Sequence, residues 1–183
     1  MRLKLICAVL VGVLLIAPGC GSKKKAAATT PEGANTTNLV SNSGFEVNKH
    51  GWSTAVPNTF GRSAAHAKSG HASGLATRNT QTPDTDVANF HMTLEAGKTY
   101  ALSYWIFIPP DYSGTGIVLN GEWIGGSAVS GGKVGLAIRG QWQHVEAAFK
   151  LGATTGGYLV LRMPGAKTGD RAYIDDVRVW PAA

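Results

Sequence analysis

Ten carboxylates lie between residues 38 and 183 of this 183-residue chain, and they are the groups best suited to acid–base work. Cleaving a glycosidic bond needs two of them across the scissile bond, about 5 to 9.5 Å apart. Asp84, Asp86, Asp111 and Asp170 stand in segments marked by Pro or Gly and read as solvated loop charges. No Gly-x-Ser-x-Gly nucleophile elbow sits at a strand-to-helix turn. The histidines His50, His66, His71, His91 and His144 are scattered, and the His66/His71 spacing fits no zinc pattern. The glycine-rich stretches lack the Lys-Ser/Thr of a phosphate loop. The sequence therefore points to a protein that binds rather than one that catalyses.

Those side chains are carried by short elements. With 24 glycines, 8 prolines and only 15% charged residues, the composition suits many strands joined by tight turns. The 44% hydrophobic content supplies a core and excludes a largely disordered chain. The clearest period-two segment runs from Thr99 to Ile108. It puts Tyr100, Leu102, Tyr104, Ile106 and Ile108 on one face, and Ala101, Ser103, Trp105 and Phe107 on the other. Pro109-Pro110 ends it. Further strands are expected at Asn89–Leu94, Gly116–Asn120, Val134–Arg139, His144–Leu151, Gly157–Met163 and Ala172–Trp180. Seven or more short strands, with no apolar stripe of helical period, predict an all-β, two-sheet antiparallel sandwich.

The net charge of +6 comes mostly from the N-terminus. Setting aside Arg2, Lys4, Lys23, Lys24, Lys25 and Glu32 leaves 17 − 5 = 12 basic against 11 − 1 = 10 acidic residues, a balance that gives no nucleic-acid footprint. Arg2 and Lys4 precede an apolar run from Leu5 to Pro18, too short to span a bilayer core of about 20 residues. Ile16-Ala17-Pro18-Gly19-Cys20 resembles a bacterial lipobox, so residues 1–19 read as a lipoprotein signal peptide and Cys20 as the lipidated N-terminus. Ordinary secretion with cleavage near Gly19 is the alternative. Residues 20–37 lack any large apolar side chain beyond the cysteine and read as a flexible tether. With Cys7 and Cys20 both outside it, the domain at 38–183 contains no thiol or disulfide. The expected setting is an exported protein, a monomer by default, held to a bacterial membrane by its acyl chains.

Five stretches of the domain, in order, resemble one family. They are Asn38-Leu-Val-Ser-Asn-Ser-Gly-Phe-Glu46 with Gly51-Trp52, then Ala67–Leu75, and Leu94-Glu-Ala-Gly-Lys-Thr-Tyr-Ala-Leu-Ser-Tyr-Trp105. Gln141-Trp142 to Phe149 and Tyr173-Ile-Asp-Asp-Val177 complete the set. Together they are similar to carbohydrate-binding modules of the family 4, 9 and 22 group found with bacterial cellulases and xylanases. The resemblance implies a galactose-binding-domain-like jelly roll whose first and last strands run side by side. It also implies a structural calcium ion at that edge, held by the Gly44 carbonyl or the Glu46 carboxylate, a carbonyl of the Lys68–Gly70 turn around Ser69, and Asp175. Hard oxygens of this kind are what calcium takes. Strand parity puts Asp175 on the inward face with Val177 and Val179, and Asp176 opposite. Backbone N–H groups with Arg171 or Arg178 are the alternative way to satisfy this carboxylate pair.

The resemblance implies a carbohydrate partner, and a sugar site combines aromatic platforms with polar groups. Trp105, Trp123, Tyr158 and Arg162, with Asn120 and Glu122, are the expected groove. A second buried face is the other use for each aromatic. Trp52 and Trp142 occupy motif positions and are expected in the core. The middle of the chain departs from the family in Ser113–Gly116, Gly125-Gly126 and Ser130-Gly131-Gly132, where such modules choose their sugar. Two functions follow. One is non-catalytic carbohydrate binding at the cell surface, by a module usually attached to a glycoside hydrolase. The other is an envelope structural or interaction role, using the same sandwich to bind protein or peptidoglycan.

Overall fold

A computed structural model describes residues 37–54, 56–79, 86–124 and 128–182, all within one unit spanning 35–183. The signal peptide, Cys20 and the tether through residue 36 lie outside the described residues. Ten strands follow in chain order: β1 Trp52–Ser53, β2 Phe60–Ser63, β3 Ser73–Thr77, β4 Asp86–Leu94, β5 Thr99–Phe107, β6 Val118–Trp123, β7 Val129–Ser130, β8 Trp142–Lys150, β9 Thr155–Arg162 and β10 Arg171–Pro181. They form two five-stranded sheets, β1-β4-β9-β6-β7 and β2-β3-β10-β5-β8, with antiparallel pairing throughout. Among the described residues there is no helix. The fold is the expected jelly-roll sandwich.

Alternation along the strands builds the core. Tyr100, Leu102, Tyr104 and Ile106 of β5 face inward and are buried, as their spacing requires, and Ile108 continues the buried row past the strand's end. Across the gap, Phe90, Met92 and Leu94 of β4 and Leu159 and Leu161 of β9 meet them. Phe45, Trp52, Phe60 and Phe90 form an aromatic cluster with ring centroids 5.4–5.6 Å apart. Phe149, between Tyr100 and Trp123 at 5.9 Å from each, forms another. Trp52 is thus a core residue. Trp142 is not: it lies half-buried on the outside of β8, against Phe107 at 5.6 Å.

Residues 134–139, expected as a strand, form a loop instead. The Ile138 N–H turns back to the Gly135 carbonyl at 3.0 Å. The Gln143 side chain accepts from the Gly135 N–H at 2.9 Å and donates to the Ile138 carbonyl at 2.8 Å. Local hydrogen bonds have replaced the ladder that the sequence pattern suggested.

The chain's entry and exit run side by side. Leu39 N–H donates to the Val179 carbonyl at 2.7 Å, and Val177 N–H to the Ser43 carbonyl at 3.1 Å. Asn38 ties both, its side-chain oxygen accepting from Val40 and Val179 and its amide donating to Val177.

Candidate functional site

Outward-pointing residues of the β1-β4-β9-β6-β7 sheet stand in cross-strand rows. Ser53, Asn89, Val160, Asn120 and Ser130 are opposite one another across all five strands. His91, Tyr158 and Glu122 form the next row, and Asp86, Arg162 and Val118 flank the first on its other side. Directly opposed side chains on one face are close enough to act together. Val160 is only 2% exposed although it points away from the core, so it forms a floor between two asparagines. The shielded Oδ1 of Asn89 has no hydrogen-bond partner.

Tyr158 rises beside that floor at 42% exposure. His91 meets its ring edge-on at 5.2 Å and fixes its tilt. Arg162 is clasped from two sides, its Nε donating to Asp86 Oδ1 at 2.7 Å and its Nη1 to Glu122 Oε1. The Glu122 hydrogen bond, outweighing burial and helped by Asp86, holds the guanidinium above its ordinary pKa. One cation between two anions leaves this part of the face with a surplus negative charge. The face therefore offers an aromatic plane, amides, hydroxyls and fixed charges across the strands, the mixture suited to a ligand with apolar and hydroxylated sides.

Four of the expected groove residues share this face: Asn120, Glu122, Tyr158 and Arg162. The two tryptophans do not. Trp123 is 4% exposed and stacks on Phe149 in the core. It alternates with Glu122 along β6, so the two cannot point the same way. A glycine makes room for it, since a Cβ on Gly157 would stand 2.4 Å from Trp123 Cε3. Trp105 does point away from the core, as its parity requires, but β5 belongs to the other sheet, so it stands on the opposite outer surface. Its ring is stacked on His144 at 4.7 Å and covered by Lys68 Nζ at 4.0 Å from the centroid.

That second surface is crossed by the segment from Ala64 to Ala72. His66 stacks on Phe107 at 4.2 Å, leaving Phe107 only 8% exposed, and Lys68 covers Trp105. The segment is held down by carboxylates. Asp175 Oδ2 accepts from the N–H groups of Lys68 at 2.8 Å and Ser69 at 3.2 Å, and Oδ1 from Asp176 N–H at 2.8 Å. Glu46 accepts from the N–H groups of His71 and Ala72, and Ser69 Oγ donates to Asp176 at 2.8 Å. The His71 N–H, more than any other contact, pulls the Glu46 carboxyl below its ordinary pKa.

Asp175 points outward, against the expectation from parity. Asp175 is opposite Trp105 and Arg178 is opposite Ser103, so Asp176 and Val177 together face one residue, a β-bulge. Asp176 takes a left-handed φ of 49°, Val177 returns to the core, and Asp175 is left on the outer side beneath the 64–72 segment. There it is 0% exposed, and burial raises its pKa despite the three N–H donors. Arg171 pairs instead with Asp111 at 3.7 Å and Arg178 lies over Trp180, so the N–H part of the alternative reading holds and its arginine part does not.

Two aspartate oxygens approach Gly44 at this edge. A Cβ on Gly44 would lie 3.7 Å from Asp175 Oδ1 and 3.8 Å from Asp176 Oδ1, whereas Glu46 presents only its Cγ there, its carboxylate being turned to the His71 and Ala72 N–H groups. Among the described residues no three acidic or imidazole side chains are gathered as a metal site. The aspartate oxygens are hard donors of the kind calcium takes, and the His71 imidazole stands beside the Glu46 carboxylate at 3.7 Å. Phe45 sits between Gly44 and Glu46 at a φ of 57°, a strained conformation for an aromatic residue that the surroundings must impose. Gly44, Glu46, Ser69 and Asp175 are thus brought together.

No protein-family model and no curated protein matches the sequence. Solved structures do match the fold. The CBM22-1 xylan-binding domain from Paenibacillus barcinonensis Xyn10C superimposes with a TM-score of 0.62 at 12% identity, covering 81% of this chain and 97% of its own. This is the fold of carbohydrate-binding modules. The C-terminal family 22 carbohydrate-binding module of Clostridium thermocellum Xyn10B gives 0.60 at 21% identity, with 77% and 91% covered. TmCBM61, solved in complex with β-1,4-galactotriose, gives 0.56 at 18% identity, with 80% and 99% covered.

Proposed function

We propose that this protein binds an oligo- or polysaccharide without cleaving it, on the outer face of β4, β9 and β6. The observation that carries the reading is the exposed Tyr158, set edge-on to His91 and flanked by Asn89, Asn120, Glu122 and Arg162 above the Val160 floor. A sugar ring laid on Tyr158 would keep its apolar side on the phenol ring and its hydroxyls within reach of the amides and carboxylates. The shared fold of modules whose names state xylan binding, or that were solved with a galactan oligomer, supports the same reading. Such contacts are made without activating water or a leaving group, so the reading needs no catalytic residue.

Two further parts of the proposal concern the setting. A calcium ion held by Glu46, Asp175 and their neighbours would keep the 64–72 segment on its sheet and play no part in chemistry. Lipidation at Cys20, supported by the charged start, short apolar run and Gly19-Cys20 junction, would display the sandwich from a membrane on the 20–37 tether.

The test is calorimetric titration of the full chain with soluble xylan, β-glucan, β-1,4-galactan and peptidoglycan fragments. One glycan is expected to bind saturably, and Tyr158→Ala to weaken it at least tenfold while leaving the melting temperature within about 2 °C, because the ring is an exposed surface group. Binding that survives Tyr158→Ala unchanged, or no binding by any glycan to folded protein, would sink the reading. The latter result would move the weight to an envelope interaction role.

A further inference from the structure

Beside the β6–β7 end of the same face lies a cavity of about 380 Å³, lined by the 115–118 segment on one side and by Ser130 and the 132–136 segment on the other. It is an open hollow, so a ligand unit seated there stays partly in solvent. It opens onto the proposed groove, because two of its walls are groove residues: Val118 is opposite Arg162, and Ser130 is opposite Asn120. Its floor is apolar, with Ile117 and Val134 buried and Leu136 half-buried. The Thr115 and Ser130 hydroxyls add polar groups to the rim. Lys133 supplies the single charge among the lining residues, and its ammonium has no ion-pair partner among the described residues.

This cavity is built by the glycine-rich stretch in the middle of the chain. A Cβ on Gly131 would stand 1.6 Å from the Leu119 carbonyl oxygen, and Gly132 has a φ of 97° with a Cβ position 2.6 Å from Val145. Only glycine lets the backbone run that close to β6 and then turn, which leaves Lys133 at the rim instead of on a regular strand. The opposite wall is pinned by the Thr115 and Gly116 N–H groups, both donating to the Pro164 carbonyl, and by Tyr112 Oη donating to the Gly116 carbonyl at 2.5 Å.

From the cavity we infer a subsite for a carboxylate-bearing sugar, a uronic acid carried as a branch or terminal unit of the bound glycan. The inference rests on the proposed groove for the glycan's main chain and deepens it by naming a substituent. Charge divides the two places. The Asp86–Arg162–Glu122 group has a surplus carboxylate and disfavours an anion, whereas the cavity's rim carries the exposed Lys133, which has no ion-pair partner among the described residues. A uronate there would set its ring against Ile117 and Val134, its hydroxyls toward Thr115 and Ser130, and its carboxylate toward Lys133.

The test titrates the full chain, followed by two-dimensional NMR, with methyl β-D-glucuronoside and separately with methyl β-D-glucoside. Saturable shifts at Thr115, Ser130, Gly132 and Lys133 are expected, with the uronide about fivefold tighter than the neutral glycoside, the scale of an exposed ion pair. Lys133→Met should bring the uronide down to the neutral level while retaining the fold, and ~1 M salt, with a Debye length of about 3 Å, should do the same. Equal affinity for the two glycosides, or shifts confined to other residues, overturns the subsite and leaves Tyr158-dependent polysaccharide binding standing. Uronide binding at Lys133 without any polysaccharide binding upholds the subsite and overturns the groove.

Discussion

Removing divalent cations should loosen the 64–72 segment from its sheet, and the size of the effect can be worked from Asp175. This carboxylate is fully buried with three backbone N–H donors but no cationic side chain among the described residues. If calcium supplies the missing charge, a free concentration 100 times its dissociation constant adds about 2.7 kcal/mol to folding. For a unit of about 150 residues each kcal/mol moves the melting temperature by roughly 2–4 °C, so chelation should lower it by roughly 5–11 °C. Asp175→Ala removes the acceptor of three N–H groups. An orphaned buried donor costs ~1–3 kcal/mol. The Lys68 and Ser69 amides lie near the surface and can recover water, so the sum is nearer ~3 kcal/mol than the upper limit. The variant should therefore melt roughly 6–12 °C lower in chelator, and calcium should no longer move its transition. Scanning calorimetry of the full chain, wild type and variant, in EDTA and in millimolar calcium, reads both effects. A wild-type transition that is the same in both buffers would refute the ion and leave Asp175 satisfied by its N–H donors alone.

Two other substitutions separate the surfaces. Trp123→Ala should empty a core site between Gly157 and Phe149 and cost about 3–5 kcal/mol, whereas Trp105→Ala should cost less than half as much and leave glycan affinity unchanged. Denaturant melts paired with the glycan titration check both, and loss of binding in folded Trp105→Ala would show that the ligand lies on the other sheet. Gly131→Ala should destabilise by about 2 kcal/mol or more, because its methyl group would overlap the Leu119 carbonyl, and a melt within 1 °C of wild type would contradict that close approach.

The fold was legible because the long strands alternate cleanly. The five inward residues from Tyr100 to Ile108 can be read directly from a period of two, and β8 and most of β4 and β9 follow in the same way. Strands β1, β2 and β3 were not legible, since two to five residues rich in Ser and Gly carry no period. At the site, the sequence separated the faces of each strand but not the sheets. Parity correctly turned Trp105 away from the core, yet nothing in a single strand states which sheet it joins, and that pairing decides whether Trp105 can meet Tyr158. Trp123 is a different case. Asn120-Gly121-Glu122-Trp123 alternates in plain view, and a strand through it sends Asn120 and Glu122 one way and Trp123 the other. Gly157, opposite Trp123 on β9, leaves room for the indole, a signal that only the strand pairing makes legible.

Asp175 shows the limit of the period-two rule in its sharpest form. Parity holds from Arg171 to Asp175 and again from Arg178 to Trp180, with one residue inserted between. The only sign of the insertion is the Asp-Asp pair itself, since Asp is among the residues that tolerate a left-handed φ. Without the bulge, either Val177 or Ile174 would leave the core. With it, both stay buried and Asp175 is turned to the outer surface, where it takes the N–H groups of Lys68 and Ser69. The insertion thus converts a strand of core residues into the anchor of the segment that covers Trp105 and Phe107. It occupies the aromatic surface of one sheet with the chain's own Lys68 and His66, and leaves the face around Tyr158 as the one free to meet a ligand.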